Sequence, residues 1–326
     1  MTKPNWSLVT AARESGGRMT ASRMESLVDQ RELQSELAAL SRRGYRFSVT
    51  SRGTLVLEAW PNRLFAEEIA FGLGTDVVGG RVETHWSVAS TNDLARAQAK
   101  RKREGTAIFA EEQTAGRGRF GRAWTAPKFS SLLFSTALDA GGLSFAPEAL
   151  ALAGAAAVAE AVAQVHNLPA RIRWPNDVLV EGKKISGVLV EGIAGETKSR
   201  WLVVGIGVNV NLDAAALPED LREAAGSISG FLGHEADRAL LARAVLRRLD
   251  FWWEVLKAGG LGRLSASCRM LSSILGTFAT LVSKGKTYSG RVVDIDAEVG
   301  LVLQLAGGPT RAFAPGETIL VHSESY

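Results

Sequence analysis

The sequence predicts an α+β protein built from three consecutive blocks. The first block combines helix-like segments with a strand pair, and the central block mixes strand-like and helix-like segments. The last block consists of short alternating runs rich in Val, Thr and Gly. Several strands of the central block follow one another without a helix between them, which argues against a doubly wound parallel sheet.

Composition points to a soluble chain that works in a reducing compartment. Of the 326 residues, 46% are hydrophobic and 22% are charged, as in folded multidomain proteins. We expect no membrane contact, because no apolar run approaches the roughly 20 residues of a membrane helix. We also expect no signal peptide, because the N-terminus has no apolar core followed by a small-residue cleavage site. The only cysteine, Cys268, excludes an internal disulfide and favours a cytoplasmic location.

The first block, residues 7–60, has the element order of a winged helix-turn-helix. Helices are predicted in SLVTAARE, TASRMESLV and DQRELQSELAALSRRG, with Thr20 and Asp29 as N-caps and Gly44 as a C-terminal stop. YRFSVTSRGTLVLEA alternates like two strands joined by a turn at SRG. A connector with one short helix follows over residues 61–80.

Positive charge is concentrated in this block. Residues 1–63 hold ten basic and six acidic residues, which accounts for the whole formal charge of +4. That balance suits nucleic-acid contact, and it suits a solvated helical face equally well. If the third helix reads DNA, its N-terminal residues face base edges and nearby arginines meet phosphates. The predicted DNA contacts are Gln30, Arg31, Gln34, Arg42, Arg43, Arg46 and Arg52.

The central block contains seven predicted strands and three predicted helices. The strands are RVETHW, TAIFAEE, SLLFSTAL, RIRW, DVLV, KISGVLVEG and WLVVGIGVNV. The helices are LARAQAKRKRE, PEALALAGAAAVAEAVAQVH and RALLARAVLRRLDFWWEVLK. DVLVEGKKISGVLVEG has the form of an antiparallel hairpin, and residues 275–326 suggest a small all-β barrel.

Residues 113–124, QTAGRGRFGRAW, place three glycines and three arginines between two predicted strands. Glycine lets backbone amides approach an anion, and guanidinium forks bind phosphate or carboxylate with paired hydrogen bonds. The segment therefore favours a phosphate clamp made by Arg117, Arg119 and Arg122. A solvated loop or an RNA-binding tract is the alternative, although such tracts are usually longer and lie in low-complexity tails.

Three further segments carry polar groups at sharp changes of structure. SVASTND precedes a helix, so its hydroxyl and amide groups can cap that helix or line a polar pocket. RWPNDVLVEGKKISG turns at Trp174-Pro175, and its hairpin returns Lys183 or Lys184 toward Asn176 and Asp177. GIGVNVN ends an apolar strand and lacks the third glycine of a dinucleotide fingerprint.

Taken together, these four segments resemble the motifs of biotin protein ligases, in the same order and at similar spacing. The resemblance covers about residues 80–260, and the C-terminal β block extends it to residue 326. It implies a mixed α/β biotin ligase catalytic domain and an SH3-like β domain after it, while the first block resembles the winged helix of the bifunctional, repressing members. The implied domains are 1–62, the connector 63–80, 81–272 and 273–326.

The resemblance implies a reaction in two steps. Biotin and ATP, with Mg²⁺, give biotinyl-5′-AMP and pyrophosphate, and a lysine of a biotin carboxyl carrier protein then takes the biotinyl group. It implies no tightly bound prosthetic group. The implied partners are the carrier protein, operator DNA of biotin-synthesis genes and a second copy of the chain once the adenylate is bound.

The resemblance also assigns residue roles. Lys184, Arg119 and Asp177 are the implied catalytic residues, with Asp177 also near Mg²⁺, and spacing from Asn176 favours Lys184 over Lys183. The implied biotin-binding residues are Ser90, Thr91, Asn92, Gln113, Gly116, Arg117, Arg119, Lys184, Gly187 and Leu189. The implied nucleotide-binding residues are Arg119, Arg122, Trp124, Asn176, Asp177, Lys184 and Asn209. Phe120 stands where some members carry another arginine.

Three alternatives stay open at this point. A lipoate ligase has a related catalytic fold, but the GRGR loop and WPND fit the biotin ligases better. A transcription factor that senses a metabolite without catalysis would not need the arginine loop, Asp177 and Lys184. A ligase whose N-terminal block does not bind DNA is the third alternative.

Overall fold

The computed structural model describes residues 4–193 and 200–323. The chain divides into two units, Met1–Leu73 and Gly74–Tyr326. The division falls inside the predicted connector 63–80. The C-terminal β block belongs to the same unit as the central block.

The first unit combines four helices with a three-stranded antiparallel sheet of order β1-β3-β2. Thr20 and Asp29 cap their helices as predicted, since each side chain accepts a hydrogen bond from a backbone N–H two or three residues ahead. Strand β1 was not predicted, because two residues are too few for a periodic pattern. The elements are α1 Trp6–Glu14, β1 Arg18–Met19, α2 Ala21–Glu25, α3 Gln30–Ser41, β2 Arg46–Val49, β3 Leu55–Ala59 and α4 Ala66–Ala70.

A single apolar core holds this unit together. It is formed by residues from the helices and from the sheet, including Trp6, Met19, Leu40, Tyr45 and Leu55, each less than 9% exposed. The helices and the hairpin therefore follow the predicted order. The identity of the unit as a winged helix-turn-helix stays a prediction.

The second unit is built on a seven-stranded sheet of order β4-β5-β6-β10-β9-β8-β7. Only β4 and β5 run parallel, and every other neighbouring pair is antiparallel, which confirms the mixed architecture. The strands are β4 Arg81–His85, β5 Thr106–Ala110, β6 Ser131–Asp139, β7 Arg171–Arg173, β8 Asp177–Val180, β9 Lys183–Ile193 and β10 Trp201–Asn209. All seven coincide with predicted strands to within a few residues.

Helix α5, Thr91–Lys100, contacts β5, β6 and β10, and α6, Pro147–His166, packs on β9 and on α9. The remaining helices are α7 Glu219–Arg222, α8 Ile228–Leu232, α9 Arg238–Lys257 and α10 Leu261–Leu271. Of these, only α9 was predicted. Helices α7 and α8 have four and five residues, too few for a periodic pattern, whereas α10 was missed although Leu261, Leu264, Cys268 and Leu271 recur at helical spacing.

Helix α6 corrects one expectation from the sequence. Its 20 residues are apolar enough, by length and composition alone, to cross a membrane, whereas we expected no such run. In the fold, 67% of its apolar window is buried inside the protein. The all-round apolar character of α6 is therefore that of a core helix.

Helix α6 packs on one face of the seven-stranded sheet, and α5 packs on the other. A Cβ on Gly154 of α6 would lie 2.9 Å from Val188 of β9, so α6 packs closely on that face. A Cβ on Gly205 of β10 would lie 2.2 Å from Oδ1 of Asn92 in α5. Because neighbouring residues of a strand face opposite sides, Gly205 and Gly207 point away from α6.

A second, five-stranded antiparallel sheet of order β14-β13-β12-β11-β15 ends the chain. Its strands are β11 Phe278–Ser283, β12 Lys286–Asp296, β13 Gly300–Leu305, β14 Thr310–Phe313 and β15 Thr318–Ser323. This agrees with the predicted all-β block. A 3₁₀ turn, Pro315–Glu317, joins the last two strands. The carbonyl oxygen of Pro315 in this turn accepts a hydrogen bond from Arg119.

Candidate functional site

The Gly–Arg loop, residues 113–124, lies between β5 and β6 and folds as a narrow hairpin. Gly118 N donates to Arg122 O at 2.7 Å, and Trp124 N donates to Gly116 O at 3.0 Å. Phe120 at the tip has a positive φ of 57°, a conformation that is uncommon for a residue other than glycine. The glycines of the motif thus give a tight hairpin, and Gly116 in particular has no room for a Cβ, which would lie 2.4 Å from Trp124 O.

Arg119 crosses from this loop to the opposite side of the site. Its Nη1 donates to Oδ1 of Asn176 at 3.2 Å, and its Nη2 donates to the carbonyl oxygen of Pro315 in the C-terminal β block. Burial lowers the pKa of Arg119, while the carboxylates of Asp177 and Glu148 act in the opposite direction. A partly desolvated guanidinium of this kind favours an anionic partner.

The predicted three-arginine clamp is not present as such. Arg117 forms a bidentate ion pair with Asp93, with N–O distances of 2.6 and 3.2 Å. Arg122 is exposed to solvent, although its charge is near enough to contribute to the lowered pKa of Arg119. The three side chains therefore do not converge, because a carboxylate that the motif analysis did not use binds one of them.

A chain of buried and half-buried polar groups connects the start of the loop to α5 and β9. Oε1 of Gln113 accepts from the backbone N and the hydroxyl of Thr91, at 2.8 and 3.0 Å. The hydroxyl of Ser135 lies 2.6 Å from Thr91 Oγ1 and 2.6 Å from Oδ1 of Asn92. Nδ2 of Asn92 then donates to Glu191 at 2.6 Å.

Thus the structure brings together the predicted residues Thr91, Asn92 and Gln113. Ser90 is also buried, but its side chain makes no capping hydrogen bond to α5. Ser135 and Glu191 were missed by the sequence analysis. Glu191 lies in the quoted KISGVLVEG segment, whereas Ser135 has no local signal beyond a polar position in an apolar strand.

The indole of Trp124 lies over two glycines that pair across β9 and β10. Gly187 and Gly207 are register partners, and Cβ atoms placed on them would lie 3.0 and 2.4 Å from the indole ring. The Nε1 of Trp124 is buried and has no hydrogen-bond partner among the residues that the structure describes. The glycines therefore leave space for an aromatic ring against the sheet.

The β8–β9 hairpin places Lys184 against Asp177. Lys184 Nζ lies 2.6 Å from Asp177 Oδ1, and Arg173 Nη2 lies 3.1 Å from Oδ2 of the same carboxylate. Lys184 Nζ also lies 5.6 Å from the centroid of the Trp124 ring. Lys183 is exposed, so the geometry favours Lys184, as the spacing did.

The two predicted asparagines have different surroundings. Asn176 accepts from Arg119 and donates to the carbonyl oxygen of Val188 at 2.8 Å. Asn209 is buried, and its Nδ2 donates to the carbonyl oxygen of Gly226 at 3.1 Å. The contact of Asn209 fixes a neighbouring loop, so its predicted nucleotide contact stays a prediction.

A cavity of about 200 Å³ opens beside Arg119. Its lining combines the loop, the start of α6, the WPND turn, β9 and the C-terminal turn. The lining residues are Arg119, Phe120, Pro147, Glu148, Ala151, Pro175, Asn176, Val188, Leu189, Val190, Pro315 and Gly316. Leu189 lines this cavity, and its predicted contact with biotin stays a prediction, whereas Glu148, Pro315 and Gly316 were not predicted.

The donor set does not fit a resident metal ion. Within residues 4–193 and 200–323, no group of three or more His, Cys, Asp or Glu side chains could hold a metal. The carboxylate of Asp177 is already paired with Lys184 and Arg173. Mg²⁺ commonly binds through one or two carboxylates together with substrate phosphates, so a Mg²⁺ ion at this site would have to enter with the nucleotide.

In the first unit, most of the predicted DNA-contacting side chains are exposed. Gln30, Arg31 and Gln34 lie in the first two turns of α3, and Arg42, Arg46 and Arg52 are also exposed. Arg43 is different, because its guanidinium lies 5.3 Å from the Trp6 ring and 5.1 Å from the Phe65 ring. Arg43 is therefore part of the packing of this unit.

Comparison with known proteins agrees with the geometry. Residues 86–209 match the Biotin/lipoate A/B protein ligase family. The bifunctional ligase/repressor BirA of Bacillus subtilis is 31% identical over 281 residues, covering 86% of this chain and 83% of that protein. The biotin–[acetyl-CoA-carboxylase] ligase of Mycobacterium tuberculosis is 30% identical, covering 69% of this chain and 83% of that protein.

A solved structure shows the same fold. The biotin protein ligase from Aquifex aeolicus, in complex with biotin and ATP, superposes with a TM-score of 0.65 at 28% identity. The match covers 73% of this chain and 97% of that chain. The resemblance drawn from the four motifs is confirmed. The chain belongs to the biotin/lipoate A/B protein ligase family and is a biotin protein ligase.

Proposed function

We propose that this ligase activates biotin with ATP as biotinyl-5′-AMP and transfers the biotinyl group to a lysine of a biotin carboxyl carrier protein. The observation that carries the proposal is the ion pair between Lys184 and Asp177 beside the Gly–Arg loop. The carboxylate orients the cation and also acts electrostatically on the partly buried Arg119, which lines a cavity of about 200 Å³. Two anions, a carboxylate and a phosphate, need such a site in order to react with each other.

In the first step, a carboxylate oxygen of biotin attacks the α-phosphorus of ATP, and the bond from that phosphorus to the pyrophosphate oxygen breaks. Lys184 and Arg119 stabilise the negative charge that builds up on the phosphate oxygens. Trp124, Asn176, Arg122 and Asn209 are the proposed nucleotide-side residues. Mg²⁺ carried on the ATP phosphates would supply charge neutralisation there.

The biotin side is formed by the polar chain that includes Gln113, Thr91 and Asn92. Its buried donors and acceptors are already oriented by one another, so little reorganisation is needed when a polar ligand binds. Ser90, Gly116, Gly187 and Leu189 complete the proposed pocket.

In the second step, the neutral amine of the carrier lysine attacks the carbonyl carbon of the mixed anhydride. An amide bond forms, the bond between that carbon and the AMP oxygen breaks, and the amine loses a proton. Water would attack the same carbon, and the Gly–Arg loop is positioned to exclude it. The proposed location of this reaction is the cytoplasm.

An assay of the full chain with ATP, biotin and a purified carrier domain tests the proposal. We expect biotin on the carrier, with pyrophosphate and AMP formed in equal amounts to the product. Lipoate in place of biotin should give little product. Comparable transfer of lipoate, or no adenylate with biotin, would contradict the proposed substrate.

We further propose that the first unit binds operator DNA as a dimer when the adenylate is bound, so that the protein represses biotin-synthesis genes. Exposed Gln30, Arg31 and Gln34 at the start of α3, and exposed arginines around the β2–β3 turn, support this proposal. The similarity to a bifunctional ligase/repressor over 86% of the chain supports it as well. The alternative is a ligase whose first unit does not bind DNA.

Fluorescence anisotropy with promoter DNA of biotin-synthesis genes from the same genome distinguishes the two. We expect affinity to rise when biotin and ATP are added, and sedimentation to show dimers under the same conditions. Arg52→Ala should reduce the slope of log affinity against log salt by about one. No ligand-dependent binding at low salt would favour the ligase-only alternative.

A further inference from the structure

Arg117 of the Gly–Arg loop is held by two carboxylates that lie outside the loop. Its guanidinium forms a fork on Asp93, with Nη2–Oδ1 and Nη1–Oδ2 distances of 2.6 and 3.2 Å. Nη2 also lies 3.8 Å from Oε2 of Glu191. Asp93 is in the first turn of α5 and Glu191 is in β9, so Arg117 connects the loop to two elements beside the polar chain.

Backbone contacts join the loop to the same side of the site. Thr114 N donates to Val88 O at 2.9 Å, and Ala115 N donates to Ala89 O at 2.8 Å. Beyond Arg117, the next anchor is Arg119, which contacts Asn176 on the other side. The loop therefore spans the site between α5 and the WPND turn, and Arg117 anchors it on the α5 side.

We propose that Arg117 and Asp93 form a latch that keeps the Gly–Arg loop closed over the bound acyl-adenylate, with Glu191 as a weaker second contact. The proposal rests on the proposed adenylate-forming function. In this role Arg117 is a positioning residue, because its guanidinium binds protein carboxylates. The loop has to open for the adenylate to leave, and opening requires this ion pair to break.

The exposure of the pair determines how strong the latch can be. The side chains of Arg117 and Asp93 are 38% and 49% exposed, so salt screens their attraction. Arg117 lowers the pKa of Asp93, chiefly through their hydrogen bond, so the carboxylate stays ionised at neutral pH. We therefore expect a moderate effect on release, and one that depends on ionic strength.

The test measures how fast preformed biotinyl-5′-AMP leaves the full-length enzyme. Labelled adenylate is formed on the enzyme without a carrier, unlabelled biotin is added in excess, and bound label is followed over time. For Asp93→Asn we expect release to be about fivefold faster, the size of an exposed, bidentate pair. The rate of adenylate formation, measured by quenched flow, should change less than the rate of release.

Salt and a double variant distinguish a latch from a general structural effect. Raising the ionic strength from about 0.05 M to about 0.5 M should speed release from the wild type and leave Asp93→Asn nearly unchanged. The double variant, Asp93→Asn with Arg117→Gln, should release the adenylate no faster than Arg117→Gln alone, because each substitution removes the same ion pair. Glu298→Gln, an exposed carboxylate in the C-terminal β block, serves as the control and should release like the wild type.

Release from Asp93→Asn at the wild-type rate would overturn the latch. The latch would also be overturned if the effects of Asp93→Asn and Arg117→Gln on the release rate multiplied in the double variant. The same holds if the rate of adenylate formation fell by as large a factor as the rate of release rose. A wild-type enzyme that forms no adenylate before the chase would refute the proposed function, and the latch with it. That result is visible before any release is measured.

Discussion

Lys184 Nζ lies 2.6 Å from Asp177 Oδ1, across the hairpin of β8 and β9. The other oxygen of the carboxylate contacts Arg173 at 3.1 Å, so Asp177 is held from two sides and orients the lysine. Asp177 follows Asn176, which contacts Arg119 of the loop. This arrangement joins the hairpin and the Gly–Arg loop into one cationic site.

Replacing Lys184 by Ala should strongly reduce adenylate formation and leave the fold intact. Loss of a positioned cation at developing negative charge costs about 2–4 kcal/mol in the transition state. Pyrophosphate exchange in the presence of biotin measures the step. Lys183→Ala is the matched control, because that side chain is the exposed neighbour. Near wild-type exchange in Lys184→Ala, with loss in Lys183→Ala, would reverse the assignment.

Gly207→Ala should weaken nucleotide binding by displacing Trp124. The new Cβ would lie 2.4 to 2.7 Å from three atoms of the indole, and an aromatic ring cannot relieve that contact by a small rotation. An overpacked contact of this kind costs about 1–3 kcal/mol, so we expect the KM for ATP to rise about tenfold.

The control for this substitution lies on the neighbouring strand. Gly192→Ala of β9 would place its Cβ with no atom within 4 Å. We expect its KM for ATP to stay within about twofold of the wild type. Equal values of KM for the two variants would show that the position of Trp124 does not matter for the nucleotide.

Ser135→Ala should weaken biotin binding and also lower the stability of the second unit. Its hydroxyl is buried and bridges Thr91 and Asn92 with two contacts of 2.6 Å. Leaving such buried groups without a partner costs about 1–3 kcal/mol. Isothermal titration with biotin and thermal melting measure the two effects.

Thr136→Val provides the comparison for Ser135→Ala. Thr136 is equally buried, and its hydroxyl has no partner within the part of the chain that the structure describes. Neighbouring strand residues face opposite sides of the sheet, so this hydroxyl points away from the polar chain. We expect unchanged biotin affinity and equal or higher stability. A loss of affinity in Thr136→Val as large as in Ser135→Ala would contradict the role of the chain.

The stability of the second unit should decrease as the pH falls below about 6.5. Burial lowers the pKa of His166 from its usual value of 6.5, while Asp237 opposes this effect and His234 adds to it. Between the pKa of His166 in the folded chain and its pKa in the unfolded chain, the unfolded chain binds more protons than the folded chain. The free energy of unfolding therefore rises with pH in that interval, and above it the contribution of His166 is constant. Calorimetric melting of the wild type and His166→Gln from about pH 7.5 to about pH 5.5 tests this. An identical decrease in the two proteins would exclude His166 as the cause.

Several features of this protein follow from the sequence alone because their causes are local. The 20 residues of α6 begin at Pro147 and end before Asn167, which adopts the left-handed conformation of a C-cap. The hairpin at EGKK brings Lys184 back along β8, opposite Leu179 and two residues from Asp177, because antiparallel strands joined by a tight turn must pair. The order and spacing of the four motifs were sufficient to recognise the family.

The partners of the motif residues were decided by the tertiary structure. Arg117 pairs with Asp93, and Arg119 reaches Pro315, 196 residues further along the chain. No sequence pattern within the Gly–Arg loop predicts these contacts, because they depend on how α5 and the C-terminal β block pack against the loop. The convergence of Gly187 and Gly207 under Trp124 likewise depends on the register of β9 with β10. Local sequence determines which groups are available, and the packing of distant elements determines which charges neutralise one another, since an ion pair depends on separation in space rather than along the chain.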